Sequence, residues 1–207
     1  MKIKKPIIKY LESKDLLTSI LTNDLNNGLY ENNLNQKILL KDIEINSCHF
    51  KNIDFTNIKI ENIEIYDSIF ENCNLANLNL DSNVIHRTNF INCNLIGTTF
   101  IEASLKDITF NNCNLKYTNY SGTRLDNIEF NNSNLSESAF VETKLKNTEF
   151  FKCNLSKTEI FNTSLKDIDL SSCDIHAIVI DMNSVKGLII DPSQCIDLIN
   201  MLEVKLK

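Results

Sequence analysis

An apolar residue at every fifth position constrains this chain more than any other feature. Each residue number divisible by five, from Leu40 to Ile190, carries Leu, Ile, Phe, Val or Tyr. Five is not the period of a regular element, because on a helix residues five apart are rotated by roughly 140°. On a strand, a step of five residues places the side chain on the opposite face of the sheet. The chain must therefore bend once per unit, which predicts a coil with one five-residue unit on each side.

A longer period of twenty predicts the number of sides. Phenylalanine recurs at 50, 70, 90, 110, 130 and 150, and cysteine recurs at 73, 93, 113, 153 and 173, with Ser133 in the gap. Identical residues at a fixed interval are typical of stacked repeats. Four units per turn make a square coil.

The repeated triplet of a small residue, Asn and Leu resembles the motif of the pentapeptide-repeat proteins. It is plainest in Cys73-Asn74-Leu75, Cys93-Asn94-Leu95, Cys113-Asn114-Leu115, Ser133-Asn134-Leu135 and Cys153-Asn154-Leu155. The resemblance implies an all-β fold, a right-handed quadrilateral β-helix with the central Leu or Phe inside and a C-terminal capping helix. The solenoid should have about seven and a half turns, spaced ~4.8 Å apart like ordinary strands.

The periodicity divides the chain into three parts: an N-terminal cap segment (1–37), the β-helix (38–190), and a capping helix with a tail (191–207). Asp191 is a suitable N-cap, and Pro192 suits the first helical position. A helical apolar stripe follows at Cys195, Leu198, Ile199 and Leu202. The stripe either seals the last turn only, or also forms a homodimer. Bacterial quinolone-resistance proteins of the family pair through such a helix, so the resemblance implies a homodimer.

Composition limits the classes of partner and compartment. The net charge of −6 gives no basic stripe for direct nucleic-acid binding, and no apolar run approaches the ~20 residues of a membrane span. Seven cysteines without a paired CxxC motif, behind a start that lacks a signal-like apolar segment, indicate reduced thiols and a cytoplasmic protein. With only four glycines and two prolines, the chain must turn with other residues, and its abundant Asn, Asp, Ser and Thr are the candidates.

No pattern in the sequence predicts catalysis. It contains no HExxH, GxSxG or glycine-rich phosphate loop. The stacked cysteines would point in parallel, whereas zinc needs ligands that converge tetrahedrally. We therefore predict no catalytic residue, metal site or cofactor, and expect the chain not to be an enzyme.

Two functions remain open. The resemblance to quinolone-resistance members implies a DNA mimic that binds DNA gyrase or another type II topoisomerase and modulates quinolone sensitivity; the alternative is a protein–protein interaction scaffold without gyrase activity. Residues 40–81 carry most of the negative charge, which predicts an acidic partner surface of Asp42, Glu44, Asp54, Glu61, Glu64, Asp67, Glu71 and Asp81. The whole rod has about a third of the charge density of B-DNA, and no insertion predicts a projecting loop.

Overall fold

The computed structural model describes residues 3–34 and 36–199, which form a right-handed quadrilateral β-helix of about eight turns. This confirms the predicted fold class. The strands are β1 (Glu12–Ser13), β2 (Leu25–Asn26), β3 (Gly28–Tyr30), β4 (Ile38–Asn46), β5 (His49–Lys51), β6 (Ile58–Tyr66), β7 (Ile69–Glu71), β8 (Val84–Ile91), β9 (Ser104–Asn111), β10 (Arg124–Asn131), β11 (Ala139–Val141), β12 (Lys144–Phe151), β13 (Glu159–Phe161) and β14 (Val179–Ile180). The helices are α1 (Leu16–Leu21) and α2 (Cys195–Ile199), the second preceded by a 3₁₀ turn at Pro192–Gln194.

All strand pairs are parallel, and beyond the first pair they join residues twenty apart. Ile65 is opposite Ile85, and Phe110 is opposite Phe130. The predicted period of one turn is therefore confirmed. We name the four sides by their central residues: face A (40, 60, 80 and so on to 180), face B (45 to 165), face C (50 to 170) and face D (55 to 175).

The central residues point inward and form the core. From residue 40 to residue 180 every one is buried except Leu145, which is half-buried. On face C the aromatic rings stack from Tyr30 to Phe150 with centroids 4.9–5.0 Å apart. Each such ring pair contributes roughly 0.5–1.5 kcal/mol beyond its buried area, so the Phe series is a continuous stabilising stack.

The corners use the left-handed backbone conformation two residues after most of the centres. Asn and Asp provide most of these residues, which confirms that they replace glycine in the turns. Arg87, Glu102, Tyr117 and Lys152 adopt the same conformation, although such side chains disfavour it by about 1–2 kcal/mol. The stacked coil therefore imposes the corner geometry even where the local residue opposes it.

The N-terminal end departs from the expected cap in one respect. Leu25 and Tyr30 are fully buried, and β2 and β3 pair in parallel with β4 and β5. Stacking therefore starts inside the segment that was predicted to lack the five-residue pattern. The predicted helical spacing does form α1, which Asp15 caps by accepting a hydrogen bond from the Thr18 N–H at 2.8 Å.

The C-terminal end is capped as predicted. The Asp191 side chain accepts from the Ser193 N–H at 2.9 Å, and Gln194 Oε1 accepts from the Asp191 N–H at 2.8 Å. The buried Gln194 amide donates to the carbonyls of Leu170 and Cys173 at 3.0 and 2.7 Å. These bonds satisfy carbonyl groups that the last turn would otherwise leave unpaired. The division of the chain at residues 38 and 190 itself stays a prediction.

An extended strap, residues 3–11, lies along the corner between faces B and C. The Ile7 N–H donates to Asp67 Oδ1 at 2.9 Å, and the Lys4 N–H donates to Asp107 Oδ1 at 3.2 Å. Asp67 and Asp107 are two coils apart, or ~10 Å, which three extended residues span. No local pattern in the sequence predicts this contact.

Candidate functional site

The predicted acidic surface is not brought together on one side. Its eight residues lie on all four faces: Asp42, Glu61 and Asp81 on face A, Glu44, Glu64 and Asp67 on face B, Glu71 on face C, and Asp54 on face D. A partner that approaches one side of the rod therefore meets at most three of them. Whether they bind a partner stays a prediction.

Several of these carboxylates already have partners within the chain. Glu61 contacts Lys59 Nζ at 2.6 Å and Lys41 Nζ at 3.3 Å, and hydrogen bonds from these two lysines lower its pKa. Glu71 contacts His49 Nε2 at 2.9 Å. Asp67 accepts two bonds from Arg87, at 2.7 and 2.6 Å. The charge of the first coils is therefore partly compensated.

Grouping residues by face shows a different acidic surface. Face A carries the carboxylates of Asp42, Glu61, Asp81, Glu102, Glu142, Glu159 and Asp181. Its only cations are Lys41 and Lys59, in the first two coils. Glu102, Glu142 and Glu159 are exposed, and within the described residues none of them makes an ion pair. From residue 78 onward face A is thus uniformly acidic.

Apolar side chains lie between these carboxylates. Ile101, Val141 and Phe161 occupy equivalent outward positions in three coils and are half-exposed, while Val179 is 46% exposed. We use the name acidic face for the carboxylates and apolar residues of face A between residues 78 and 182.

The sequence contains the signal for this surface. Counting charges in a continuous window groups residues 40–81, but a window of forty residues passes around the rod twice. Sorting each charge by its position within the twenty-residue turn would have placed Glu102, Glu142, Glu159 and Asp181 with Asp81. The acidic face was missed because the sequence was divided along the chain and not by face.

The cysteine column has a structural role. All seven thiols are free, and six of the seven are buried. Cys113 Sγ donates to the Phe90 carbonyl at 3.4 Å, as Ser133 Oγ does to the Phe110 carbonyl at 3.1 Å. In the column, contact with the Cys93 thiol and burial raise the pKa of Cys113; outside the column, on face C, burial raises the pKa of Cys48 to about 11. A protonated thiol is a poor nucleophile and a poor metal ligand.

Neither a metal site nor a membrane span is found in the described part of the chain. No group of three or more His, Cys, Asp and Glu side chains there could hold a metal ion. Neither of its helices could cross a membrane.

The residues predicted for dimerisation lie at the end of the rod. Cys195 is exposed, Leu198 and Ile199 are half-buried, and Leu202 lies outside the described residues. Leu198 packs on the core, and Asp197 Oδ1 accepts from the Ala177 N–H at 3.4 Å. These contacts are those of a cap. Dimerisation through the same helix stays a prediction.

Family profiles identify the repeat. The profile described as a pentapeptide repeat region matches residues 63–140, and that of pentapeptide repeats (8 copies) matches residues 128–167. Together they span just over half of the chain. The chain belongs to the pentapeptide-repeat family. This confirms the resemblance drawn from the Cys-Asn-Leu triplets.

Among solved structures, this pentapeptide-repeat protein is similar to two trypsin-treated variants of QnrB1, a plasmid-mediated fluoroquinolone resistance protein. One is 18% identical, with 88% of this chain and 89% of that chain covered and a TM-score of 0.48. The other is 14% identical, with 87% and 100% covered and a TM-score of 0.44. HetL, a pentapeptide repeat protein involved in heterocyst differentiation regulation in the cyanobacterium Nostoc, is 11% identical, with 84% and 95% covered and a TM-score of 0.23. No curated protein sequence matches the chain.

Proposed function

We propose that this pentapeptide-repeat protein is a non-enzymatic, cytoplasmic interaction protein whose acidic face binds the positively charged DNA-binding surface of a type II topoisomerase such as DNA gyrase. One observation carries the proposal: carboxylates follow one another along a single face with no cation between them from residue 78 to residue 182. The family resemblance supplies the identity of the partner, and the face supplies the chemistry.

The spacing of these carboxylates resembles that of phosphates in one DNA strand. Five of the six coils from residue 78 to residue 182 contribute one carboxylate each, and successive coils are ~4.8 Å apart. Phosphates of one strand of B-DNA follow at about 3.4 Å along the axis. The acidic face therefore has roughly half to two thirds of the charge density of one strand. The charge density of the whole rod is lower than that of the acidic face, because cations on the other faces compensate part of the negative charge.

A second candidate is an interaction scaffold without gyrase activity. The exposed apolar residues of the acidic face favour it, because Ile101, Val141 and Phe161 would add nothing to purely electrostatic mimicry. Apolar side chains surrounded by charge suit a protein partner with a shaped surface. Both candidates use the same face, and they differ in the partner.

A supercoiling assay with gyrase from the source organism, titrated with the protein in the presence and absence of ciprofloxacin, tests the proposal. We expect inhibition of gyrase, or rescue from the drug. The triple variant Glu102→Lys, Glu142→Lys, Glu159→Lys should weaken the effect about tenfold, since it reverses the complementary charge.

The contrasting variant is Glu44→Lys, Glu64→Lys, Glu71→Lys, which changes the net charge equally on faces B and C, at residues of the acidic surface predicted from the sequence. We expect its activity to stay within about twofold of the native protein. Equal losses in both variants would mean that net charge, and not the acidic face, determines binding. No effect of the native protein on gyrase would leave the scaffold as the function.

A further inference from the structure

Within the described residues, one coil of the solenoid lacks a paired neighbour along two faces. The strand β12 pairs with β10 on one side, whereas β10 pairs with both β9 and β12. Residues 164–171, which lie one turn after β12, form no strand with it. We call the gap between β12 and residues 164–171 the open seam.

The backbone groups show how the seam differs from a paired coil junction. On face B of an earlier coil, the Asp67 N–H donates to the His86 carbonyl at 3.1 Å, nineteen residues on. The corresponding N–H of Asn147 donates to no carbonyl of the next coil, and neither does that of Leu145. At the end of the seam, the Lys152 N–H donates to the Ser172 hydroxyl at 3.1 Å instead of to a carbonyl. Within the described residues, this edge of β12 therefore has no strand partner.

Burial changes at the same place. Leu145 is half-buried, although the equivalent Leu125 is 0% exposed, and Phe150 is 7% exposed where Phe130 is 0% exposed. A cleft of about 690 Å³ opens there, between Leu145, Asn147 and Thr148 of one coil and Lys166, Asp167 and Ile168 of the next. On face D the coils remain joined, since the Asp174 N–H donates to the Cys153 carbonyl at 2.9 Å. The seam is thus confined to faces B and C.

Like charges would face each other if the coils paired at this point. Normal stacking would place Lys146 opposite Lys166 on face B, and Glu149 opposite Asp169 on face C. Like charges directly opposite each other destabilise a strand pair. These pairs oppose stacking but do not prevent it by themselves, since Arg124 faces Lys144 and Glu129 faces Glu149 in the paired junction of β10 and β12.

We propose that the open seam binds an extended acidic segment of a partner protein, which pairs with residues 144–147 as an added strand. An unpaired strand edge is the usual recognition surface for strand addition. The face B side of the seam is cationic: Arg124, Lys144 and Lys166 are exposed, and within the described residues none of the three makes an ion pair. Lys146 Nζ forms an ion pair with Asp126 Oδ2 at 3.1 Å. Acidic side chains at alternate positions of the added strand would face these cations.

Hydrogen exchange on the full chain tests the seam without any substitution. In the free protein, the amides of Leu145 and Asn147 should exchange faster than those of Leu125 and Asn127, which lie in a strand paired on both sides. Adding a synthetic peptide of alternating Glu and Val should slow the exchange of Leu145 and Asn147. Unchanged exchange at a saturating peptide concentration would overturn the proposal.

Fluorescence anisotropy with the same peptide, labelled, tests the two parts of the recognition. A peptide of alternating Lys and Val should not bind, and neither should the Glu–Val peptide with N-methylated alternate amides. Binding of the N-methylated peptide with equal affinity would refute strand addition and leave simple charge attraction.

The double variant Lys144→Glu, Lys166→Glu should weaken binding about tenfold. The matched control Lys116→Glu, Lys157→Glu makes the same change of charge on face D and should stay within about twofold. Equal weakening by both variants would overturn the assignment to the seam. Circular dichroism establishes that both variants remain folded, and the exchange experiment on the native chain is independent of them. The seam lies on other faces than the acidic face, so neither proposal depends on the other.

Discussion

The coils of β10 and β12 have nearly the same inward residues and different neighbours. Both strands are eight residues long, run along faces B and C, and place a Leu and a Phe in the core. β10 is paired on both sides, whereas β12 is paired on one. The inward residues therefore do not decide whether two coils pair along their whole length. Like charges between the outward columns do not decide it alone either, since Arg124 lies opposite Lys144 and Glu129 lies opposite Glu149 in the paired junction.

This difference separates two kinds of information in the repeat. The central residues specify a square coil wherever they occur, and they do so with little variation from Leu40 to Ile180. The outward residues are free to vary, so they can weaken one junction or concentrate charge on one face. A change to an inward residue should therefore have the largest effects, and changes to outward residues should have smaller and more local ones.

The largest effect should come from the Phe stack. Phe110→Ala should lower the free energy of unfolding by about 3–5 kcal/mol, the usual cost for a buried Phe. Phe110 stacks between Phe90 and Phe130, at 4.9 and 5.0 Å. Phe150 stacks on Phe130 alone and is 7% exposed, where Phe110 is 0% exposed, so Phe150→Ala should cost clearly less. Urea denaturation of the two variants measures the difference, and equal losses would contradict a weakened junction at the seam.

A smaller effect should follow at the corner between faces B and C, where the strap covers early coils. Arg87→Ala removes two bonds from the largely buried Asp67 and should cost about 1–3 kcal/mol. Burial raises the pKa of Asp67, but the Arg87 guanidinium and the Ile7 N–H outweigh it and hold the pKa below the ordinary 3.8. The stabilisation is therefore present above the pKa of the unfolded chain and is lost as the pH falls through the lower pKa of the folded state.

Denaturation at a series of pH values from 7 to below 3.8 measures this linkage. In Arg87→Ala the pKa of Asp67 should rise, so the loss of stability on acidification should begin at a higher pH. The matched control Arg124→Ala removes a cation from the same face without an ion-pair partner in the described residues, and should leave the profile unchanged. Identical profiles for the native chain and Arg87→Ala would refute the role of the ion pair.

The sequence predicted the features that repeat and missed those that depend on position around the rod. The period of five predicted the buried centres, the scarcity of glycine predicted Asn and Asp corners, and Asp191-Pro192 predicted the C-terminal cap. The strap was missed because Ile7 contacts Asp67 and Lys4 contacts Asp107, contacts that leave no local pattern. The acidic face and the seam depend on side-chain columns, which become visible only when the chain is read in steps of twenty.

A substitution that favours closure of the seam should have a weaker effect on stability. Lys166→Glu would place an acidic residue opposite Lys146 and replace repulsion by attraction, which should stabilise the chain by roughly 0.2–1 kcal/mol. The sharper measurement is hydrogen exchange, in which the amides of Leu145 and Asn147 should become slower. The control Lys157→Glu lies on face D and should not change them. If the exchange of Leu145 and Asn147 is unaffected by Lys166→Glu, repulsion between Lys146 and Lys166 does not contribute to the seam.

The smallest effect should come from the cysteine column, which tests whether the seam stops before face D. Cys113 lies among fully paired coils and Cys153 lies beside the seam, but their thiols donate to the Phe90 and Phe130 carbonyls at nearly equal distances of 3.4 and 3.3 Å. Ser133 already fills the same position in the coil between them. Cys113→Ser and Cys153→Ser should therefore each change the free energy of unfolding by about 0.5 kcal/mol or less, because a hydroxyl can replace the thiol as donor. A much larger loss of unfolding free energy for Cys153→Ser than for Cys113→Ser would show that the weakened junction extends to face D. In that case the seam would not be confined to faces B and C.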